Sequence, residues 1–509
     1  MDAERETEPV PTRDAATRVR TDYATRPMRA AGLAPEPQSG NGWAIVFTLV
    51  ALGVLGVLAV VPGTLGGPGE LGWHGLLTFL VFAVAVGGWM SSRLDDTFVA
   101  VAAAVLLVLF GVLDSEDVFE PLGEDQIWLL IAAFILAAGI NATGLPARLS
   151  VALVARARRP RGLFHLITAS LVITALLVPS TSGRAALVLP FYLTLAAAFA
   201  ARERLVRALA VLFPTVVLLS AVASLVGAGA HLVTSEILAS TVDVRIGFAQ
   251  WLWWGLPFAV ASSHLAAELV LALFTRHADR RAPLRVDAEA LRSQLEVPER
   301  MRRDEIRAAA LLGVVVLLWS TEPLHGLSPA LVALGGAVLI TSPRLGTVRF
   351  GEALSEIPWS LLLFMAATGA LGTGLTESGA AQWAVTSFLS GAPRSTVLLT
   401  VVVLSVAAHL VVQSRSARSS VLIPLVVPAA LAVGMNPVAL AFASTAAAGF
   451  CHTLPSSAKP VAMFARIEQA PTFAPRDLLK LSALLGPVMV VLVLLFTRFV
   501  WPTLGLDLD

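Results

Sequence analysis

The sequence predicts an all-α polytopic membrane protein, with about eleven transmembrane helices and two re-entrant hairpins in an inverted repeat. Three observations predict it. Charged residues make up only 14% of the 509-residue chain and hydrophobic ones 56%, whereas a soluble domain carries about a quarter charged residues. The apolar residues fall in successive blocks near the roughly 20 residues that one crossing requires. Two stretches from the first half of the chain also recur, in the same order, in the second half.

In chain order, residues 1–41 mix arginine, glutamate and proline without an apolar run. They read as a disordered cytoplasmic tail rather than a signal peptide. Residues 42–126 form N-terminal scaffold helices, with blocks at Trp43–Val61, Leu76–Met90 and Phe98–Leu113. Residues 127–274 form a first repeat: a span, a hairpin at 163–200, a broken helix at 209–238 and a further span. A basic cytoplasmic loop follows at 275–307, then linking scaffold helices at 308–357. Residues 358–509 form the second repeat, with a hairpin at 397–434 and a broken helix at 437–464.

Arginine placement orients the chain, because basic loops stay cytoplasmic. Arg148, Arg156, Arg158, Arg159 and Arg161 precede the first hairpin, Arg202, Arg204 and Arg207 follow it, and nine arginines lie between Arg276 and Arg307. The stretch Asp114–Gln126 is acidic and holds no basic residue. All basic loops share one side if Leu163–Ala200 leaves and returns on that side. Two full helices satisfy this as well as a re-entrant hairpin does. Arms of about 16 residues, roughly 24 Å of helix, favour the hairpin. The N-terminus is then cytoplasmic and the C-terminus outside, in a bacterial inner membrane.

Gly139, Thr143, Gly144 and Leu145 recur as Gly369, Thr373, Gly374 and Leu375 at a constant offset of 230. The run Ser180-Thr181-Ser182-Gly183-Arg184 recurs as Ser414-Arg415-Ser416-Ala417-Arg418 at an offset of 234, and each copy continues to a proline. An odd number of crossings separates the copies, so they are inverted. Inverted repeats with interrupted helices are the architecture of secondary transporters, whose site lies between the repeats near mid-membrane.

A charged side chain at that depth costs roughly 2.5–3.5 kcal/mol and normally faces a partner or a cavity. Each tip sets an arginine among hydroxyls and small residues. Ser180, Thr181, Ser182, Gly183 and Arg184, with Ser414, Arg415, Ser416, Arg418 and Ser419, are therefore candidate binding residues for a small anion. Guanidinium pairs bidentately with carboxylate, and helix N-termini add their own positive ends. The competing reading is that these arginines close salt bridges or anchor the tips to water. The second broken helix adds Ser456, Ser457 and Lys459, the last read as a further buried cation. His231, Thr234, Glu236 and His452 are candidates for coupling or gating. Glu236 either pairs with Lys459 or carries a proton. His264 and Glu268, one turn apart, read as a local helix pair.

Several classes are set aside. A net charge of +1 argues against a nucleic-acid partner. Cys451 is the only cysteine, which rules out an intrachain disulfide and CxxC metal sites; neither metal nor cofactor is expected. The absence of HExxH, GxSxG and intramembrane carboxylate pairs argues against an enzyme.

At the tips the sequence resembles the divalent anion–sodium symporter family, which takes up dicarboxylates, citrate or sulfate. Its members carry a Ser-Asn-Thr tip and an apolar run ending in proline once per repeat. Ser180-Thr181-Ser182 and Ser414-Arg415-Ser416 stand in those places, with Pro190 and Pro424 after them. Leu454-Pro455-Ser456-Ser457-Ala458-Lys459-Pro460 resembles the family's second Thr-Pro-Pro-type loop, while Leu232–Glu236 matches the first poorly. The resemblance implies a homodimer and an elevator-type transporter in the lipid bilayer. Thr181 and Arg415 replace the two tip asparagines that help hold sodium in the family. That departure points to sodium-independent antiport or proton-coupled symport of di- or tricarboxylates. The alternatives are a sodium-coupled dicarboxylate or sulfate symporter, a non-transporting membrane sensor or assembly protein, and a membrane-embedded enzyme.

Overall fold

A computed structural model describes residues 71–90, 94–284, 286–389 and 392–509. The expected tail 1–41 and first span Trp43–Val61 lie outside them. The described residues are helical and contain no strand, as a bilayer requires of any chain that satisfies its backbone hydrogen bonds without a closed barrel.

Two helices come first, α1 (Trp73–Met90) and α2 (Asp96–Leu109). A seven-helix series then follows: α3 (Asp125–Thr143), α4 (Leu145–Val154), α5 (Pro160–Leu177), α6 (Thr181–Ala198), α7 (Glu203–Leu219), α8 (Gly229–Val242) and α9 (Phe248–Phe274). Two linking helices, α10 (Arg303–Ser320) and α11 (Pro329–Ile340), lead to a second series. It comprises α12 (Trp359–Glu377), α13 (Ala380–Leu389), α14 (Arg394–Ala407), α15 (Arg415–Ala432), α16 (Pro437–Ala447), α17 (Lys459–Ala465) and α18 (Pro475–Leu495). Long helix, short helix, hairpin, broken helix and long helix thus occur twice in one order.

Local chemistry sets the boundaries. Proline occupies the first turn of α5, α11 and α16, where its missing N–H is not needed. Asp95, Ser328 and Asn436 cap α2, α11 and α16 by accepting hydrogen bonds from first-turn amides. Pro190, Pro214, Pro257 and Pro487 sit inside longer helices, where each removes one backbone bond and favours a kink.

Packing makes the two series reciprocal. The second half of each broken helix lies against the returning hairpin arm of the other series, α8 on α15 and α17 on α6. A two-fold relation between halves produces this exchange. Elsewhere α3 packs with α10 and α11, and α12 packs along α2.

Three expectations differ in detail. Both arms of the first hairpin have 18 residues, about 27 Å at 1.5 Å per residue, because the helices start at Pro160 and at Thr181, outside the purely apolar core of each block. Among the described residues, seven helices have both the length and the apolarity of a full span. Others, among them Asp96–Leu109 and Pro329–Ile340, are apolar but shorter, so span counting from hydropathy overstated the uniformity of the crossings. Gly144 ends α3 with a left-handed φ of 78°. Its sequence counterpart Gly374 lies inside α12, close to Leu107, and Gly379 takes the left-handed position instead.

The linking region is anchored by one buried ion pair. Arg148 on α4 donates from Nε to Glu305 Oε2 at 2.9 Å and from Nη2 to Oε1 at 3.2 Å. Glu305 also accepts from the Arg302 amide, and Arg148 Nη2 reaches Arg300 O. Their side chains are only 14% and 2% exposed. Breaking one partner of such a pair costs about 3–5 kcal/mol, because the other charge stays buried. Glu305→Gln and Arg148→Ala are expected to lower the melting temperature in detergent markedly. Arg207→Ala, which breaks an exposed pair with Glu203, should change it little. Equal shifts in all three would remove the anchor from the account.

Candidate functional site

The site is built where the hairpin tips meet the helix breaks. Ser180 and Ser414 are the N-caps of α6 and α15, and their hydroxyls accept from the amides of Gly183 and Ala417. The cap places Arg184 and Arg418 at the same turn of equivalent helices, and their amides bond Ser180 O and Ser414 O. Both side chains are 0% exposed. Ser180 holds a φ of 97°, a region that costs a non-glycine residue about 1–3 kcal/mol and tends to mark functional backbone. Ser414 is relaxed, at φ −69°.

The breaks also correspond. After α7 the chain runs through two short 3-10 turns, Ser220–Ala223 and Leu225–Gly227. Extended Ala228, at φ −156°, then starts α8; extended Ala458, at φ −159°, starts α17 in the same way. Side chains satisfy the freed carbonyls: Trp251 Nε1 donates to Val222 O at 3.0 Å, and His231 Nδ1 meets Ser224 O at 2.9 Å. Gly227 cannot carry a side chain, since a Cβ there would lie 2.2 Å from Ala221 O.

Contacts between the two series converge here. Arg415 Nη1 donates to Leu218 O, at the end of α7, at 3.3 Å. A Cβ on Gly229 would meet Ser416 Oγ at 2.6 Å, so the second tip docks directly on the start of α8. Thr234 Oγ1 and Thr445 Oγ1 are 2.6 Å apart, joining the two broken helices. His452 approaches Thr215 O at 3.4 Å across the same seam.

Arg415 lies within electrostatic reach of both Arg184 and Arg418. The charge of these groups is poorly compensated. Arg184 Nη2 donates to Leu171 O at 2.8 Å and Ser220 Oγ at 2.6 Å, but its Nε and Nη1 have no partner among the described residues. All three nitrogens of Arg418 lack one, as do Arg415 Nε, Ser419 Oγ and Ser224 Oγ. Among the described residues, none of these arginines forms an ion pair. A buried unsatisfied polar group costs about 1–3 kcal/mol, and more when charged. The geometry can therefore receive several acceptor oxygens carrying negative charge.

Other expected residues fall elsewhere. Thr181, Ser182 and Ser416 line the tips half-buried, and Gly183 is exposed. Lys459 is exposed rather than a buried cation; as the first residue of α17 its side chain clears the seam and stands near Asp96. It forms no pair with Glu236, which is buried beside Gly369 and feels Glu124 and Arg245 instead. Ser456 is exposed, and Ser457 Oγ accepts from the Leu454 amide to close the loop. His264 and Glu268 interact electrostatically along α9, as expected, and both also reach across to His165 on α5. Helical spacing alone hides such a contact.

Sequence reasoning missed Ser220, the carbonyls of Leu171 and Leu218, and Asp96. Ser220 lies next to the interruption of an apolar run, a signal that was available. The carbonyls carry no residue-type signal. Asp96, at the start of α2, lies near the side chain of Ser414, a proximity made only by tertiary packing.

A family model described as citrate transporter matches residues 79–447. A membrane protein of Cupriavidus necator is 27% identical over 389 residues, 74% of each chain. A protein of Staphylococcus saprophyticus named sodium-dependent dicarboxylate transporter SdcS is 22% identical, covering 84% of this chain and 87% of its own. Two solved structures share the fold. One is the YdaH transporter of Alcanivorax borkumensis (TM-score 0.51, 17% identity, 90% and 99% coverage). The other is MtrF of Neisseria gonorrhoeae, titled as illuminating a class of antimetabolite efflux pumps (TM-score 0.53, 14% identity, 92% and 95% coverage). The resemblance read at the hairpin tips is borne out at the level of the family, and the all-helical fold is shared with membrane transporters of known structure. A model match over most of the sequence shows that this chain belongs to the citrate transporter family, a family of secondary carriers and not of enzymes.

Proposed function

We propose that this protein carries di- or tricarboxylates across a bacterial inner membrane without sodium, by anion exchange or together with a proton. The observation that carries the reading is the set of buried guanidinium groups with free N–H donors at the seam between the two helix series. A visiting carboxylate supplies both the charge and the acceptors that these groups lack. Ser180, Thr181, Ser182, Gly183 and Arg184 of one tip and Ser414, Arg415, Ser416, Arg418 and Ser419 of the other form the binding set in this reading. Ser456, Ser457 and Lys459 belong to the approach, and His231, Thr234, Glu236 and His452 to coupling and gating. Hairpins and broken helices move against the remaining helices as an elevator, within a homodimer.

Independence from sodium follows from what occupies the backbone oxygens. Carbonyls at broken helix ends are where transporters of this architecture hold sodium. Here Arg415 donates to Leu218 O, beside the first break, so a tethered cation already takes such a position. One observation favours a second reading: the staphylococcal relatives are named sodium-dependent. Uptake of labelled citrate and succinate into proteoliposomes separates the two. Transport should persist when potassium replaces sodium; transport that stops establishes the sodium-coupled reading.

Two mutational outcomes test the site. Arg184→Ala and Arg418→Ala should each abolish citrate-induced thermal stabilisation while the protein remains folded by size-exclusion profile. Full binding in either variant returns that arginine to a structural role. Arg415→Asn removes the tethered cation from Leu218 O and should introduce stimulation by sodium that the parent protein lacks. Unchanged ion dependence would show that Arg415 does not substitute for the ion.

A further inference from the structure

Away from the seam, a chain of ionisable groups joins the outer arm of the first hairpin to α9. Arg161 Nε and His165 Nε2, one turn apart on α5, both lie 2.6 Å from Glu268 Oε1 on α9. His165 Nδ1 lies 2.8 Å from Nδ1 of His264, one turn back along α9, with the rings stacked at a centroid distance of 5.0 Å. The ladder is open at one end: Arg161 is 67% exposed and Glu268 36%. The other end, His264, lies ten residues inside the helix terminus at Phe274, about 15 Å along the axis.

From this geometry we infer that Glu268, His165 and His264 form a proton-carrying site that links the hairpin to α9 and takes up the coupling ion. The inference rests on the proton-coupled form of the transport reading. Two facing imidazole nitrogens at hydrogen-bond distance hold one hydrogen between them, so the chain has two complementary arrangements. In the first, Glu268 is ionised, His165 donates Nε2–H to it and accepts Nδ1–H from His264, and His264 Nε2 is bare. In the second, Glu268 carries the added proton and donates to His165 Nε2, His165 donates Nδ1–H to His264, and His264 Nε2 carries the outermost hydrogen. Each heavy-atom contact serves both, and the second arrangement holds one proton more than the first. A proton taken up at the bare His264 Nε2 shifts each hydrogen one contact along and leaves Glu268 protonated without any residue moving. Its release by the same route restores the first arrangement. Titratable residues within membrane spans mark such relays, and histidine changes protonation closest to neutral pH.

Neighbouring charges on the elements packed around the ladder are engaged elsewhere. Arg156 of α4 bonds Ala152 O, Arg280 bonds Thr275 O, and Lys480 of α18 bonds Leu273 O. On α7, Arg207 pairs with Glu203. Among the described residues, Arg161 alone of the arginines touches Glu268, and it favours the ionised carboxylate of the first arrangement.

The test uses the full-length protein in liposomes loaded with a pH-sensitive dye, with citrate as the probe. In the parent protein, inward citrate should acidify the lumen. His264→Gln and Glu268→Gln should lower proton-driven citrate accumulation at least about tenfold while citrate–citrate counterflow persists. Proton movement within about twofold of the parent in both variants overturns the inference, as does a parent protein that moves citrate with no protons. Should the parent move no citrate at all, the transport reading fails, and nitrogen NMR of labelled histidines decides the inference by itself. Two imidazoles titrating in one coupled step between about pH 5 and 8, with the step lost in His264→Gln, supports it. Histidines that keep one protonation state over that range sink it.

Discussion

Positive charge buried without a counter-charge among the described residues is the constraint on which this molecule is organised. Arg184 and Arg418 are wholly enclosed, and most of their donors have no acceptor. Taking an ion out of water costs several kcal/mol even after the protein relaxes, and Arg415 adds like charge between them. The fold nevertheless surrounds the arginines with helix starts, whose dipoles present further positive ends. A structure meant only to be stable would place a carboxylate there. The packing that holds the arginines in place is extensive: α8 wedges against α15, α17 against α6, and Gly229 lets the second tip close on the start of α8.

The reciprocity of that packing connects fold to mechanism. Each hairpin tip belongs to one helix series but rests on the broken helix of the other, so in the proposed mechanism a displacement of either series would change both halves of the site together. Breaks at Ser220–Ala228 and Ala448–Ala458 supply the local backbone freedom. They are tolerated within apolar surroundings because Trp251, His231 and Arg415 take up the exposed carbonyls.

Helical class, repeat order and the position of both breaks were legible in the sequence, because each leaves a compositional mark: apolar runs, a recurring Ser-x-Ser-x-Arg, glycine and proline clusters. The arginines were legible because charge inside an apolar block is anomalous. Partnerships were not. Glu236 and Lys459 looked complementary in sequence, yet one is buried near Gly369 and the other exposed beside Asp96. His264 and Glu268 share a helix face, which periodicity shows; that His165 meets both from α5 is a matter of crossing position, which periodicity leaves open. Main-chain acceptors such as Leu171 O and Leu218 O carry no residue signature at all.

A tethered cation has a consequence that a free one does not. A sodium ion can leave with its substrate, so an empty carrier returns uncharged. In the proposed cycle the guanidinium groups stay behind when the anion leaves, and an empty site would then move with its desolvated charges uncompensated. The same free energy that makes the arginines receptive to carboxylate thus opposes reorientation of the unloaded form, and each buried donor left without an acceptor adds about 1–3 kcal/mol to that barrier. A carrier built this way favours exchange of one anion for another. In the proposed cycle net transport requires an additional ion that enters at a different place, and the inferred relay at His264, whose charged neighbours are His165 and Glu268 rather than the arginines, would meet that requirement.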